Sequence, residues 1–415
     1  MAESVTYLGT WWLPKDSTMD DVRKRPVGIL TIYENGRCEL ELHNNNIVAG
    51  ELQYIDVLWG QDSRGVNYSL FNLECRKWSH IVKYVAQYVF QGLLIDSITS
   101  PLFKKCNVAY AYLYEWTGTN MMSVPNDYNN KKITINYGKE NVHIQGELDQ
   151  GVHYKVTDYI GYSTNKTNLN AQFMTKFQIV SPKSLSIGNF IDYVQEFTQF
   201  LSLALFSKQY PSALYFLREN DEYGFRLFVE IPPSNKPSFK AVIPMMILKK
   251  EIPSFINNFH AKYDNISILT KRLIESTKIS EFDASDFTII AQALEGYYYR
   301  FLKVGKQKFK EIIEHFSDVK LVVDCNIDLK ELKDSRDLYS HFYEEKAGDK
   351  IAKGYKLFML TQKCKVLLTC CILEQLGMTH EMMNNILPDS IINVIVYNIM
   401  KYEKRLPKVK TSTNK

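Results

Sequence analysis

The sequence predicts an α+β multidomain protein: a β-rich N-terminal part with an α+β extension, followed by an all-α helical bundle. Three observations predict it. As far as about Pro182 the chain consists of short runs rich in β-branched and aromatic residues, separated by turn signals. The period then changes, because Ile187, Phe190, Ile191, Val194, Phe197, Leu201 and Leu205 recur at helical spacing with Asp192, Gln195, Glu196 and Gln199 between them. From about Ser285 onward the helical pattern continues almost to the C-terminus. The expected divisions are residues 1–270, 275–400 and a basic tail, 401–415, with the first boundary between 265 and 280.

In chain order, Val27–Tyr33, the dipeptide Asn35-Gly36 and Cys38–Leu42 read as a hairpin with a tight turn. Further expected strands are Tyr54–Trp59, Val66–Glu74, Tyr84–Ile95, Val108–Trp116, Lys132–Tyr137 and Phe173–Val180. So many strands predict a sandwich or barrel. Trp11, Trp12, Trp59, Trp78 and Trp116 all fall here, as a bulky core or an aromatic ligand groove. After the helix at 187–205, Ala213–Leu217 and Phe225–Ile231 are strand-like and the run Pro232 to Pro237 is turn-rich, which makes the extension.

In the helical part, Ser285 or Asp286 can cap a helix with the apolar face Phe287, Ile290, Ala291, Leu294, Tyr298 and Phe301. A second helix is expected over about Lys306–Phe316, and a third opening at Asp334 or Ser335. A fourth spans Tyr355–Leu376, with Gly377 placed to end it in a left-handed cap. Four or five such helices make a bundle. The tail Lys404-Arg405-Leu406-Pro407-Lys408 is basic and reads as a solvated terminus.

Composition narrows the function classes. With 415 residues, 45% hydrophobic and 23% charged, the chain is neither disordered nor fibrous. A net charge of +4 is too small to attract nucleic acid globally, so any such contact must be a local patch. The start lacks the pattern of a signal peptide, and the most apolar run, Phe200–Phe206, is too short to span a bilayer. Seven cysteines without a C-x-x-C pair fit reduced thiols, so the expected location is cytoplasmic with no membrane contact.

Several motifs fail. His380-Glu381-Met382-Met383-Asn384 lacks the second histidine of a zincin helix, Gly161-Tyr162-Ser163-Thr164-Asn165 lacks the closing glycine of a nucleophile elbow, and no Walker loop or G-x-G-x-x-G occurs. Cys364, Cys370, Cys371 and His380 match no zinc spacing, so neither a metal nor another cofactor is expected. The segment Asp334-Ser335-Arg336-Asp337-Leu338-Tyr339-Ser340-His341 is what remains. If Asp334 or Ser335 caps the helix, Arg336 and Asp337 occupy its first turn, where an anion is favoured. Asp337 and His341, four apart, share a face, so the carboxylate can orient the imidazole. The residues alone leave two readings open, a poised acid or base and an ordinary capped helix with one i,i+4 pair.

Arg336-Asp337-x-x-x-His341 resembles the Arg-polar-x3-His signature of HEPN domains, helical bundles many of which are metal-independent RNA endonucleases. The opening Gly9-Thr10-Trp11-Trp12-Leu13-Pro14 resembles the start of ApeA-type N-terminal domains. Together they make the chain similar to ApeA-like HEPN proteins, a group associated with abortive-infection defence against phage. The resemblance implies cleavage of RNA, with tRNA and mRNA both open as substrate. Histidine suits the proton transfers of attack by the 2′-OH and arginine suits the phosphate. It implies that Glu295 in the preceding helix supports the site, although the edge of an amphipathic face would explain Glu295 equally. It also implies a two-fold homodimer with paired Arg-His segments in one cleft; Arg336 and His341 lie about 140° apart around a helix, so one protomer is not expected to aim both at one phosphate. The N-terminal domain would sense a phage-derived trigger. The competing class is a non-catalytic HEPN module binding RNA or a nucleotide, with a ligand-sensing N-terminal domain.

Overall fold

A computed structural model describes residues 3–16, 25–43, 54–77, 81–118, 126–127, 132–133, 142–164, 169–238, 240–277, 282–303, 305–341 and 343–404. The chain falls into two compact units, residues 1–195 with 209–234, and residues 196–208 with 235–415.

The first unit begins with a barrel. Strands β1 (Ser4–Trp12), β2 (Val27–Tyr33), β3 (Cys38–His43), β4 (Tyr54–Asp62), β5 (Asn67–Lys77) and β6 (Ile81–Gln91) run antiparallel in the cyclic order β6-β3-β2-β1-β4-β5-β6. Closure leaves these strands no long free edge. Alternation puts one residue in two inside, so Trp11, Leu30, Leu40, Leu58, Tyr68, Leu70, Val82 and Tyr84 are fully buried there. The expected hairpin is β2-β3. Its turn closes with Gly36 N–H donating to Tyr33 O at 2.9 Å, and Gly36 sits at φ 81°, the left-handed position where an added Cβ would collide with Val229 O.

Near its C-terminal end β6 changes partner on one edge. Tyr88–Gln91 pair with β14 (Phe225–Val229), and the sheet continues through β13 (Pro211–Leu217), β7 (Phe103–Tyr110), β12 (Leu169–Leu185), β11 (His153–Thr164) and β10 (Val142–Glu147). Phe90, Phe103 and Phe216 meet with ring centroids 5.3–5.9 Å apart and hold this junction. A separate two-stranded ladder joins β8 (Asn126–Asp127) to β9 (Lys132–Ile133).

One expectation for this unit needs correction. The strand expected over Val108–Trp116 ends at Tyr110, and Leu113–Thr117 form a short helix, α1, because Leu113, Trp116 and Thr117 bury one face at i, i+3 and i+4 spacing. Gly161 to Thr164 lie on β11, a strand that the sequence reading passed over. Trp11, Trp12 and Trp116 are buried, which favours core over groove; Trp59 is half-buried with Nε1 donating to Ile95 O at 3.0 Å, and Trp78 lies outside the described residues.

Helix α2 (Ile187–Leu205) carries the expected apolar stripe, with Phe190, Val194, Phe197 and Leu201 buried. The second unit adds α3 (Ile252–Ala261), α4 (Tyr263–Glu275), α5 (Ala284–Tyr297), α6 (Lys308–His315), α7 (Lys320–Cys325), α8 (Leu329–His341), α9 (Tyr355–Gln375), α10 (His380–Ile386) and α11 (Ile391–Glu403). The cap of α5 is Asp283 rather than Ser285 or Asp286: its carboxylate accepts from Ser285 N at 3.0 Å, while Asp286 reaches back to Asp283 N in a capping box. Helix α9 is buried from Leu357 to Leu373 on nearly every side and packs against α4, α5, α7 and α11, so it forms the axis of the bundle. It ends as expected, Gly377 at φ 98° donating to Glu374 O at 2.8 Å. Of the expected tail, Lys401–Lys404 continue or end α11 and residues 405–415 lie outside the described residues.

The axis carries a buried cation with a testable consequence. Lys365 is 5% exposed, and its Nζ donates to Ser276 O at 2.5 Å. Burial pushes its ammonium down to about 8, Asp286 acting weakly the other way. The folded chain therefore binds fewer protons than the unfolded chain between about 8 and the unfolded value of 10.5, and this group makes stability rise with pH across that window. Urea midpoints from pH 7 to 10 should rise less steeply in Lys365→Met than in wild type, and identical slopes would contradict the depressed pKa.

Candidate active site

The expected catalytic segment lies on α8, but the helix opens earlier than expected. Asp328 caps it, its Oδ1 accepting from Lys330 N at 2.9 Å and Glu331 N at 3.0 Å. Lys350 beside it and these two donors hold the Asp328 carboxyl below the usual range. Arg336 and Asp337 therefore sit in the second half of α8 and His341 is its last residue, so the helix N-terminus cannot be their anion site. Asp334 and Ser335 do another job. Asp334 Oδ2 accepts from Lys350 N at 2.8 Å, and fully buried Ser335 accepts from Ala352 N at 2.9 Å. Tyr339 donates to Ala352 O at 3.0 Å and stands edge-on to Phe287, so α8 is clamped to α5 and to the segment that follows it.

That clamping brings the predicted residues together. Glu295 projects from the edge of the buried face of α5, and Arg336 Nη2 donates to its two oxygens at 2.6 and 2.8 Å. Arg336 Nη1 donates to Asp337 Oδ1 at 2.8 Å and stands 2.5 Å from His341 Nε2. A guanidinium has only donors, so Nε2 is the acceptor and the imidazole proton resides on Nδ1. Two expectations are thereby corrected. His341 is oriented by Arg336 rather than by Asp337, and the 140° between Arg336 and His341 does not separate them, because the long arginine side chain reaches across the helix surface to the imidazole.

Burial and charge divide the cluster into a fixed and an open side. The Arg336 and Glu295 side chains are 15% and 13% exposed, whereas His341 is exposed. Burial alone would lower the Arg336 pKa, but the bonds to Glu295 and Asp337 outweigh it and raise the pKa, so the cation is held firmly. Lys308 from α6 adds a second cation, 3.1 Å from Glu295 Oε1 and 4.6 Å above the Tyr299 ring. Tyr343, 60% exposed, lies with its ring centroid 5.3 Å from that of His341. The sequence reading passed over Lys308 and Tyr299, because nothing in a linear pattern links residue 308 to residue 295.

The other candidates behave as core. Cys364, Cys370 and Cys371 are fully buried in α9 and burial pushes their thiols up, Cys364 to about 12, so thiolate chemistry is disfavoured. His380 lies apart from them in its pairing, with Nδ1 2.7 Å from Asp318 Oδ1. Among the described residues no helix is long and apolar enough to cross a membrane.

Two family profiles match the chain. The ApeA N-terminal domain 1 matches residues 6–276, and the Apea-like HEPN domain matches residues 302–382, which include Arg336, Asp337 and His341 while Glu295 precedes them. No curated protein and no solved structure matches significantly. The first profile alone spans more than half of the chain and the second contains the Arg-x4-His segment, so the chain belongs to the ApeA-like HEPN family of anti-phage proteins.

Proposed function

We propose that this protein is a metal-independent endoribonuclease of abortive-infection defence, acting in the cytoplasm through Arg336 and His341. The observation that carries the reading is the 2.5 Å approach of Arg336 Nη1 to His341 Nε2 on the exposed side of a guanidinium whose other edge is fixed by Glu295. HEPN domains are commonly ribonucleases, which sets the reaction class. A phosphate arriving beside His341 would take the Nη1 hydrogens now given to Asp337 and His341. Nε2 is then free to accept the proton of the 2′-OH, whose oxygen attacks phosphorus as the bond to the 5′ oxygen breaks. The leaving oxygen takes up a proton from an imidazolium, giving a 2′,3′-cyclic phosphate and a 5′-OH. Glu295 is a positioning residue here, and Asp337 holds the guanidinium until substrate arrives. Exposed Tyr343 offers a ring on which an unpaired base can stack.

We assign sensing of a phage-derived trigger to residues 1–270 and cleavage to residues 275–400, and we read the active form as a homodimer in which two histidines divide the base and acid roles. The dimer no longer rests on a distance between Arg336 and His341, since one chain brings them together. It rests on family membership and on the need for a base and an acid in one turnover. The competing reading, a non-catalytic RNA- or nucleotide-binding module, draws on the same geometry, because a fixed guanidinium beside an exposed imidazole can hold a phosphate without moving a proton.

His341→Ala should abolish RNA cleavage and any growth arrest on overexpression while leaving the urea midpoint nearly unchanged, because the side chain is exposed. Arg336→Ala should abolish both as well, but at a stability cost of about 1–3 kcal/mol, since it removes both Nη2 hydrogen bonds from the mostly buried Glu295 and leaves it only Lys308. Cleavage at wild-type rate by folded His341→Ala would overturn the enzyme reading in favour of the binding module.

If one cleft needs both protomers, co-expression with excess His341→Ala chains should leave activity as the square of the wild-type fraction. Differently tagged copies verify that mixed dimers form. Activity falling only in proportion to the wild-type fraction, with mixed dimers present, would show that each protomer works alone.

A further inference from the structure

A second cluster in the bundle has the makings of a metal site that uses none of the residues of the candidate active site. His315 at the end of α6, Glu374 near the end of α9 and His380 at the start of α10 present one ligand atom each, all within 4.8 Å of one another. His315 Nε2 stands 2.6 Å from Glu374 Oε1, and His380 Nε2 stands 3.5 Å from the same oxygen. We propose that His315, Glu374 and His380 bind one divalent transition-metal ion of the zinc class, which ties α6, α9 and α10 together.

Three features of the cluster support an ion over a plain hydrogen-bond network. His380 Nε2 is buried and has no hydrogen-bond partner among the described residues, although it points at a carboxylate and a second imidazole. Its tautomer already suits ligation. Asp318 Oδ1 lies 2.7 Å from Nδ1 and, as a carboxylate, can only accept, so Nδ1 carries the proton and Nε2 the lone pair. An acidic partner behind a ligating histidine is the arrangement that fixes ring orientation in metal sites and strengthens the ligand. Glu374 has a comparable support, because its other oxygen accepts a hydrogen bond from Tyr297 OH.

Distances decide what must move. A tetrahedral ion with bonds of about 2.0–2.2 Å holds its ligand atoms roughly 3.3–3.6 Å apart. The His380–Glu374 separation of 3.5 Å already fits, and the His315–Glu374 contact of 2.6 Å must lengthen, as it would when an ion replaces the proton that His315 now shares with the carboxylate. His315 is exposed, so the ion has a way in and a water molecule can complete the coordination. Two imidazoles and one carboxylate suit zinc and its first-row neighbours better than magnesium or calcium, which prefer oxygen ligands.

The test uses the full-length chain with any affinity tag removed, stripped with chelator, incubated with Zn2+ and passed through gel filtration. Wild type should retain about one zinc per chain. His315→Ala and His380→Ala should each lose it, and His153→Ala, which removes an exposed histidine of the first unit, should keep it. Co2+ in place of zinc should give wild type the intense visible bands of a low-coordinate site, a readout that needs no variant to fold. Zinc should raise the wild-type melting temperature and leave that of His380→Ala unchanged. Wild type that holds no zinc and shows only the weak spectrum of hydrated Co2+ would overturn the proposal, and so would equal zinc retention by His315→Ala and His380→Ala.

Discussion

The pairing of Arg336 with Glu295 is the interaction on which the candidate site depends. A guanidinium on α8 and a carboxylate on α5 meet through two hydrogen bonds of 2.6 and 2.8 Å at a mostly buried position. Forty-one residues separate them in sequence, so the pair exists only because the bundle packs α8 against α5. Once made, it uses one edge of the guanidinium and turns the other toward His341. An isolated α8 would present the same residues with the arginine free to rotate, and it would lose the orientation that lets Nε2 serve as a base.

The remaining architecture supplies rigidity around that pair. Helix α9 is buried along most of its length and gives α5 a fixed surface, while the loop after α8 returns to be held by Asp334, Ser335 and Tyr339. Asp334, Ser335 and Tyr339 thus serve the loop and helix rather than the reaction. In the N-terminal unit the same economy appears in the barrel, where one strand, β6, both closes the ring and starts the extended sheet by pairing with β5, β3 and β14.

Much of this was legible in the sequence where local rules govern. Asn35-Gly36 marked the β2-β3 turn because few residues tolerate a left-handed φ, Gly377 marked the end of α9 for the same reason, and the apolar period of α2 fixed its buried face. What was misread lay where two local rules competed. Asp334 and Ser335 are good caps, yet Asp328 with Glu331 three residues later is better, and the charged surface of α8 gave no apolar stripe to show that the helix had already begun. The Arg336–His341 contact was misjudged because helical angles describe where side chains start and not how far an arginine extends. The His315, Glu374 and His380 cluster was invisible to spacing rules, since its members come from three helices.

The central claim is that the Arg336–His341 pair performs 2′-OH-driven cleavage without a metal ion in the reaction, and the chemistry of the RNA ends tests it most directly. Purified full-length protein, kept in excess chelator, should convert RNA into fragments ending in 2′,3′-cyclic phosphate and beginning with 5′-OH, as read by ligation with an enzyme that accepts only such ends. Fragments carrying 5′-phosphate and 3′-OH would contradict it.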